Sequence, residues 1–382
     1  MPIEEITMRA LAALVGIVII AVILWDALET IIVPRRVTRR FRLTRLFYHH
    51  TWLPASRLLY AVMSETRAEN LLSFYGPISI LFLLFIWAAG LVLGFGLLQY
   101  AAGSATHSSL GIPGLADDLY FSGSTFFTLG LGDIYPTSTP ARVLTVLETG
   151  MGLGFLALII SYLPALNQSF SRRETNISML DERAGSPASA SEMLRRNVAQ
   201  GNTDELQRLL AEWEQWSAEL LESHLSYPFL AYFRSHHENQ SWLGALTTIL
   251  DTSALMYNVV EGGLQRQAWM TFAIARHAVV DLAIVFGISP ARDWAERLSP
   301  GDMAKLHAIL GASGLKLRED SATEEQFAQF RRMYDPYAVA LAKYFCLDLP
   351  PWVGEEERSD NWESSALGRD APDKPGHGGR HF

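Results

Sequence analysis

The residues that decide the fold of this chain are Asp117 to Pro136, which read DDLYFSGSTFFTLGLGDIYP. The hexamer Thr128–Asp133, TLGLGD, contains two glycines that alternate with bulky residues, and an acid follows them directly. Glycine adopts backbone angles that are closed to other residues, so alternating glycines allow successive carbonyl groups to point the same way. A ring of such strands would stack carbonyl oxygens into cages that can replace the hydration shell of a cation. The residues before the hexamer predict a short helix that begins at Asp117 or Asp118, and together the two parts predict a re-entrant segment between membrane helices.

The hexamer resembles the signature of the potassium channel superfamily, Thr-x-Gly-Tyr/Phe-Gly-Asp. The resemblance covers residues 71–166, the two-helix pore unit of that superfamily. It departs at Leu131, where the superfamily usually has Tyr or Phe. The sequence Gly-Leu-Gly-Asp also resembles the filter of one repeat in some two-pore-domain potassium channels. Leu131 therefore leaves potassium open as the permeating ion, and it weakens the expectation of strict selectivity.

The resemblance implies a homotetramer in which four copies of this segment close a ring around a pore. It implies that ions bind at the selectivity filter, formed by Thr128, Leu129, Gly130, Leu131, Gly132 and Asp133. It also places an arginine, Arg142, nine residues after Asp133, and a hinge glycine at Gly152. Gly150 and Gly154 flank that glycine, so the inner helix could bend anywhere in this turn. Packing against a neighbouring helix is the other interpretation of these three glycines.

An acid in the third apolar segment, Glu148, is unusual because acids inside membrane helices are costly and are functional or partnered by default. We expect it to support the pore, either by reaching the back of the pore helix near Thr125 or Ser124, or by pairing with Arg142. Some bacterial channels that this chain resembles carry a glutamate nine residues before the filter aspartate, and this chain has Ser124 at that position.

The composition of the 382-residue chain separates an apolar first part from a polar remainder. Apolar residues make up 49% and charged residues 19%, and the formal net charge is −9. This charge gives no bias toward nucleic acid. The single cysteine, Cys346, excludes an intrachain disulfide and a cysteine-rich metal site.

Three apolar segments are long enough to cross a membrane, since about 20 residues span the hydrocarbon core. They are the first transmembrane helix within residues 1–33, the outer helix at 71–102 and the inner helix at 141–166. A cleaved signal peptide is disfavoured for the first segment, because Glu4 and Glu5 stand where positive residues belong. Asp26 and Glu29 share one face of that helix, and we expect them near the cytoplasmic interface beside the following arginines.

A basic linker, residues 34–70, follows the first helix. Its clustered arginines are Arg35, Arg36, Arg39, Arg40, Arg42 and Arg45. Dense arginine beside a membrane helix marks the cytoplasmic side, which predicts an external N-terminus and a cytoplasmic C-terminal domain. We expect these side chains to bind anionic lipid. Spacing every third residue is also typical of voltage-sensor helices, but the upstream sequence offers no further membrane helices for such a sensor.

The polar remainder predicts a linker at residues 167–189, an all-helical cytoplasmic domain at 190–352 and a disordered tail at 353–382. Helices are expected at 203–221, at Trp242–Val260, at Gln267–Phe286, from Ser289-Pro290, from Thr323 to Met333 and after Asp335-Pro336. Trp242–Val260 and Gln267–Phe286 are long enough to cross a membrane, but their central charges favour a buried core. Their charged residues and nearby histidines also allow a metal site, although no strong ligand spacing supports one. These residues are His236, His237, Glu238, Asp251, Arg276, His277 and Asp281.

Taken together, the sequence predicts an all-α membrane protein with three transmembrane helices, a re-entrant pore helix and filter, and an all-helical cytoplasmic domain. The expected function is passive cation transport across the plasma or inner membrane, with potassium as the permeating ion and sodium as the alternative. No cofactor, resident metal or nucleic-acid partner is expected. An enzyme is disfavoured because no arrangement of nucleophile, base and orienting group is visible. The alternatives are a non-selective cation channel, and a non-conducting membrane sensor or anchor whose helical domain binds a partner.

Overall fold

A computed structural model describes residues 3–32, 43–102, 106–108, 114–198, 203–236, 239–262 and 264–354. Five of the six clustered arginines, His237, Glu238 and residues 355–382 of the expected tail lie outside these ranges. The chain divides into two compact units. The first comprises Met1–Phe170 and Leu225–Phe233, and the second comprises Ser171–His224 and Arg234–Phe382. The protein is an all-α membrane protein, as the sequence predicts.

The first unit is built on three long apolar helices. Its elements are α1 (Ile3–Ala27), a π-helical turn (Leu28–Ile32), α2 (Leu43–Val62), α3 (Glu65–Leu72), α4 (Tyr75–Ala101), β1 (Thr106–Ser108), α5 (Leu115–Phe126), β2 (Ile134–Pro136) and the start of α6 (Thr139–Ala184). By length and composition α1, α4, α6 and one helix of the second unit, Gln265–Phe286, are apolar enough to cross a membrane. The sequence favoured a buried core for that fourth helix.

Small residues set the distance between α1 and α4. A Cβ added to Gly16 would lie 2.7 Å from the carbonyl oxygen of Gly94, and one added to Gly94 would lie 2.6 Å from the Ile20 side chain. Close approach of this kind replaces the hydrophobic driving force that helices lack in lipid. Helix α4 of this closely packed pair also contacts α5, the helix before the hexamer.

Asp26 joins three elements of the first unit, although the sequence predicted an interfacial acid beside the arginines. Its buried carboxylate accepts hydrogen bonds from the Thr44 backbone N–H (3.2 Å), the Thr44 hydroxyl (2.7 Å) and the Trp87 indole N–H (3.0 Å). Thr44 lies in the first turn of α2, where the backbone N–H groups have no helical acceptor. Asp26 thus caps α2 and ties it to α1 and α4.

Helix α6 runs for 46 residues and continues past the residues at which the sequence predicted an irregular linker. The chain contains no helix-breaking residue between Pro164 and Gly185, and Gly185 ends the helix with a φ of +84°. Glycine is favoured at this position because the left-handed conformation costs it nothing. The expectation that the inner helix stops at residue 166 is therefore wrong, and the serine- and arginine-rich stretch forms its polar extension.

The second unit is helical around a core of α9 and α10. Its elements are the end of α6, α7 (Ala190–Asn197), α8 (Asp204–Ser226), α9 (Trp242–Asn258), α10 (Gln265–Phe286), α11 (Pro300–Ala312), α12 (Ser321–Arg332) and α13 (Asp335–Phe345). The helix expected from Ser289-Pro290 is absent, because residues 288–299 are irregular. Arg297 holds this stretch in place by pairing with buried Asp251 (2.6 Å) and Asp335 (2.8 Å).

Candidate pore site

Helix α5 is a short helix that begins within two residues of the expected acidic start. The Asp117 carboxylate accepts the backbone N–H of Gly114 at 3.0 Å and closes the first turn. Phe121 and Phe126 are buried, and the Ser122 hydroxyl donates to the Val92 carbonyl of α4 at 2.7 Å. This helix is therefore fixed against α4 by both apolar packing and a side-chain hydrogen bond.

The C-terminal end of α5 leads directly into the hexamer. The Thr128 N–H donates to the Thr125 carbonyl at 3.1 Å, and the Leu129 N–H donates to the Ser124 carbonyl at 2.8 Å. These two bonds have the pattern of a Schellman motif, whose central residue takes the left-handed conformation. That residue is Thr128, with a φ of +57°. A β-branched residue at positive φ is a genuine outlier, and such strain concentrates at functional sites.

The backbone of the hexamer alternates in handedness. Thr128, Gly130 and Gly132 have φ angles of +57°, +57° and +79°, whereas Leu129 and Leu131 between them do not take positive φ. Alternation of this kind lets successive peptide carbonyls face one side of a strand, as the two glycines predict. The side chains of Leu129 and Leu131 are 63% and 66% exposed in the single chain. The hexamer is thus an exposed segment without regular secondary structure in the single chain.

The residues after the hexamer fix its C-terminal end. Strand β2 pairs antiparallel with β1, with Ile134 opposite Ser108 and Pro136 opposite Thr106. The Tyr120 hydroxyl of α5 lies near the Asp133 carboxylate. The sequence identified Asp133 but did not predict Tyr120 as its neighbour.

Glu148 of α6 is fully buried, and its carboxyl group makes a hydrogen bond with the Ser122 hydroxyl. Glu148 therefore reaches the pore helix, two residues from the expected Ser124. Arg142 does not pair with it, since its Nε donates to the Pro136 carbonyl at 3.4 Å. Ser122 joins α4, α5 and α6 at one point, and the sequence did not single it out.

The three glycines of α6 have different surroundings. A Cβ on Gly152 would overlap the Phe126 carbonyl oxygen at the end of α5, whereas a Cβ on Gly150 or Gly154 would meet nothing within 4 Å in the single chain. Close packing therefore accounts for Gly152. For Gly150 and Gly154 the hinge remains a prediction.

The polar residues considered as metal ligands are mostly separated. His277 Nε2 lies 3.2 Å from the Asp281 carboxylate within α10, and Asp251 pairs with Arg297. Within the described ranges no group of three or more His, Cys, Asp or Glu side chains could hold a metal ion.

Comparisons with known proteins find similarity in the residues around this site. Residues 80–168 match a family model described as an ion channel, and this range contains α5, the hexamer and the pore-side part of α6. The chain is also 25% identical over 146 residues to an uncharacterized membrane protein, YdjJ, of Bacillus subtilis (strain 168). That match spans 37% of this chain and 40% of the relative. No solved structure matches the chain.

The family match and the resemblance of the hexamer agree on the same residues. The described helices on either side of the hexamer provide the two-helix arrangement that this family has. Residues 80–168 of this membrane protein therefore match the ion channel family, and the match is consistent with a pore domain of the potassium channel superfamily.

Proposed function

We propose that this chain assembles as a homotetramer around a central pore that conducts potassium ions passively. The observation that carries the proposal is the alternating backbone of Thr128, Gly130 and Gly132. In that backbone the carbonyls of Thr128, Leu129, Gly130 and Leu131 coordinate the ion, and the Thr128 hydroxyl adds a ligand at the inner end. Gly132 and Asp133 close the outer end of the filter. Carbonyl cages of this kind replace the ion's hydration shell.

The need for several copies follows from the exposure of the hexamer. Irregular backbone at membrane depth is tolerated only where protein buries it or where it lines a water-filled cavity. In the single chain Leu129, Leu131, and Val146 and Leu147 of α6 are exposed. Symmetric copies of the same chain would cover the apolar side chains and leave the carbonyls facing an aqueous axis.

Three residues behind the filter support its position in this proposal. Glu148 holds α5 through Ser122, and Arg142 holds the strand after the filter through the Pro136 carbonyl. Thr125 provides a carbonyl for the turn into the hexamer. Gly150 and Gly154 act as the hinge of α6, while Gly152 provides its contact with α5.

The proposed location is the plasma or inner membrane, with an external N-terminus and the second unit in the cytoplasm. Arginines of the 34–45 stretch and Arg172 would then lie on the same side, as the positive-inside rule requires. On that side the clustered arginines bind anionic lipid. Helix α10 remains in the helical domain, because Arg276 and Asp281 occupy the middle of it and central charges are costly in lipid.

A non-selective cation channel is the second candidate, and Leu131 is the residue that favours it. The superfamily usually has an aromatic residue at this position, and the exposed leucine cannot form the same packing around the filter. Reversal potentials separate the two candidates, since both share the architecture.

Potassium flux into liposomes that contain the purified protein tests the proposed pore. We expect flux from the wild type and loss of flux in Gly130→Ala, because alanine at positive φ costs about 1–2 kcal/mol and disfavours the alternating backbone. Gly311→Ala is the matched control, since Gly311 is an exposed helical residue of α11 with no atom within 4 Å of an added Cβ. Undiminished flux in Gly130→Ala would contradict the assignment of the filter.

A further inference from the structure

Nine residues of the polar half of the chain fold as part of the first unit. The chain leaves the second unit after His224, contributes Leu225–Phe233 to the first unit, and re-enters the second unit at Arg234. The middle of this excursion is a short 3-10 helix, Pro228–Tyr232, whose side chains from Phe229 to Tyr232 are buried. We name its aromatic residues, Tyr227, Phe229, Tyr232 and Phe233, the aromatic clasp.

The clasp packs on a cluster of aromatic residues in α2. Tyr232 stacks on Tyr48 with ring centroids 4.6 Å apart and an angle of 19° between the planes. It also meets Trp52 edge-on at 5.3 Å, and Trp52 is completely buried. Phe229 approaches Tyr48 at 5.4 Å. Aromatic pairs of this geometry add favourable energy beyond the area that they bury. The segment is therefore held on α2 by specific aromatic packing.

The same clasp contacts α4 and the pore-lining helix α6. A Cβ on Gly76 of α4 would lie 2.6 Å from the Phe233 ring, so the glycine makes room for that ring. Phe233 meets Phe170 of α6 at 5.4 Å, and Tyr227 meets Tyr162 of α6 at 5.3 Å. These two α6 contacts lie on either side of the turn that follows Pro164. The clasp thus holds α2, α4 and α6 together beyond the pore.

Both ends of the excursion are attached, within the second unit, to neighbouring residues of α6. At one end, His224 Nε2 lies 3.5 Å from Arg173 Nη1. At the other end, the Glu174 carboxylate accepts the Ser235 hydroxyl at 2.6 Å and the His236 backbone N–H at 3.2 Å. Arg173 and Glu174 form a buried ion pair with each other at 2.9 Å. Because both ends are fixed to adjacent residues of α6, a displacement of Arg173 and Glu174 acts on the clasp from both ends.

We propose that the aromatic clasp is the element through which the helical domain controls the pore. A change in the second unit would displace Arg173 and Glu174, to which both ends of the clasp are attached. The clasp would then change the position of α6 relative to α2 and α4. This inference rests on the proposed channel function for its effect on conduction, and on the contacts above for its mechanical part. A coupling claim needs an element that both sites bias, and the clasp is such an element because it packs within the first unit while the chain at both of its ends continues into the second unit.

Potassium flux in liposomes tests the effect of the clasp on conduction, with the full chain in each case. Tyr232→Leu keeps an apolar side chain and removes the stacking on Tyr48. We expect the initial flux rate to change by at least about fivefold, the lower end of typical coupling between sites. The control is Tyr257→Leu, which removes a comparable stacked pair with Phe330 (5.1 Å, 23°) inside the second unit. A flux change confined to Tyr232→Leu supports the proposal, and wild-type flux in both variants overturns it.

Hydrogen exchange of the same proteins tests the mechanical part without any reference to conduction. Ser235→Ala removes one donor to Glu174 at the base of the clasp and is expected to keep the fold. It should accelerate exchange of the amides of Phe229–Phe233 and of α2, which lies far away in sequence. The control, Ser313→Ala, removes a hydroxyl that bonds only the Ile309 carbonyl in the second unit. Unchanged exchange in α2 would overturn the linkage.

The two measurements separate the two ideas. If the wild type conducts no ion but Ser235→Ala accelerates exchange in α2, the channel function fails and the linkage stands. If the wild type conducts and neither Tyr232→Leu nor Ser235→Ala has an effect, the channel function stands and the clasp proposal fails.

Discussion

A Cβ added to Gly152 of α6 would overlap the carbonyl oxygen of Phe126, the last residue of α5. The inner helix therefore crosses the end of the pore helix in direct contact, two residues before the hexamer begins. This contact places α6 directly against the residue that precedes the turn into Thr128. It also gives Gly152 a role that differs from that of its two neighbouring glycines.

Gly152→Ala is expected to destabilise the pore domain and to reduce potassium flux. Overpacking of a tight contact typically costs about 1–3 kcal/mol, and here the obstructing atom is backbone, which cannot rotate away. The measurement is the thermal stability of the detergent-solubilised oligomer together with liposome flux. Gly154→Ala, on the same helix with no atom near an added Cβ, should retain the stability of the wild type. Equal stability of all three proteins would contradict the close contact.

Glu148 should tolerate Gln and fail to tolerate Leu. The Ser122 hydroxyl has one proton and lies within hydrogen-bond distance of two acceptors, the Val92 carbonyl (2.7 Å) and a Glu148 carboxyl oxygen, so a donor at residue 148 would allow both contacts to form. A glutamine amide provides that donor with nearly the same shape, whereas leucine leaves the buried serine oxygen with one partner fewer. Losing such a bond costs about 1–3 kcal/mol. The thermal stability of the oligomer and liposome flux measure both variants. A result in which Gln is as damaging as Leu would show that an ionised carboxylate is required.

The second unit should lose stability in mild acid through His224. Burial, and then the nearby Arg173 guanidinium, lower the pKa of His224 from 6.5 to about 3. Its Nδ1 lies 2.8 Å from the Leu220 carbonyl, so the neutral ring donates there and presents the other nitrogen to Arg173. His224 of the unfolded chain binds a proton below pH 6.5, whereas His224 of the folded chain binds one only near pH 3. The free energy of unfolding therefore falls as the pH falls from 6.5 towards 3. The slope is about 1.4 kcal/mol per pH unit.

The measurement is chemical unfolding of the full chain in detergent between about pH 7.5 and about pH 5. The lower limit is set at about pH 5 because most carboxylates remain ionised above it. His224→Gln, which does not titrate, provides the comparison. The wild type should lose more stability than the variant over this range. Parallel curves would show that His224 is protonated in the folded state as readily as in the unfolded chain.

The topology predicts which connecting segments face the cytoplasm. A reporter inserted at Gly103, after α4, should be external, whereas reporters at Arg45 and at the C-terminal end of the second unit should be cytoplasmic. Accessibility to an impermeant reagent in intact cells provides the measurement. If Arg45 and Gly103 lie on the same side, the path of α1 and α4 through the membrane is wrong.

The parts of the fold that local sequence determines were predictable. The alternating glycines of the hexamer predict its alternating backbone conformation. The helical periodicity of Leu206, Leu209 and Trp213 predicts α8. The sequence does not predict the extension of α6, because the serines and arginines between residues 167 and 184 are typical of linkers, although neither residue breaks a helix. The prediction of a helix from Ser289-Pro290 is wrong because two carboxylates that are distant in sequence hold Arg297. Local propensity contains no information about those carboxylates.

The candidate site was predictable to a similar degree. Glu148 was identified as an acid that needs a partner, but its partner Ser122 could not be chosen among the polar residues of α5 without the three-dimensional packing. Pro228 marked an interruption near Tyr227, yet the seat of that segment on Tyr48 and Trp52 depends on residues about 180 positions earlier. Long-range contacts of this kind leave no periodic signal in one sequence.

The reversal potential of single channels in planar bilayers, with potassium on one side and sodium on the other, tests the central claim most directly. The account predicts discrete currents that reverse far from zero, with the potassium side negative, and that disappear in Gly130→Ala. Reversal near zero would assign the protein as a non-selective cation channel, which Leu131 already makes a specific alternative. The absence of any current from a correctly folded, purified oligomer would contradict the account.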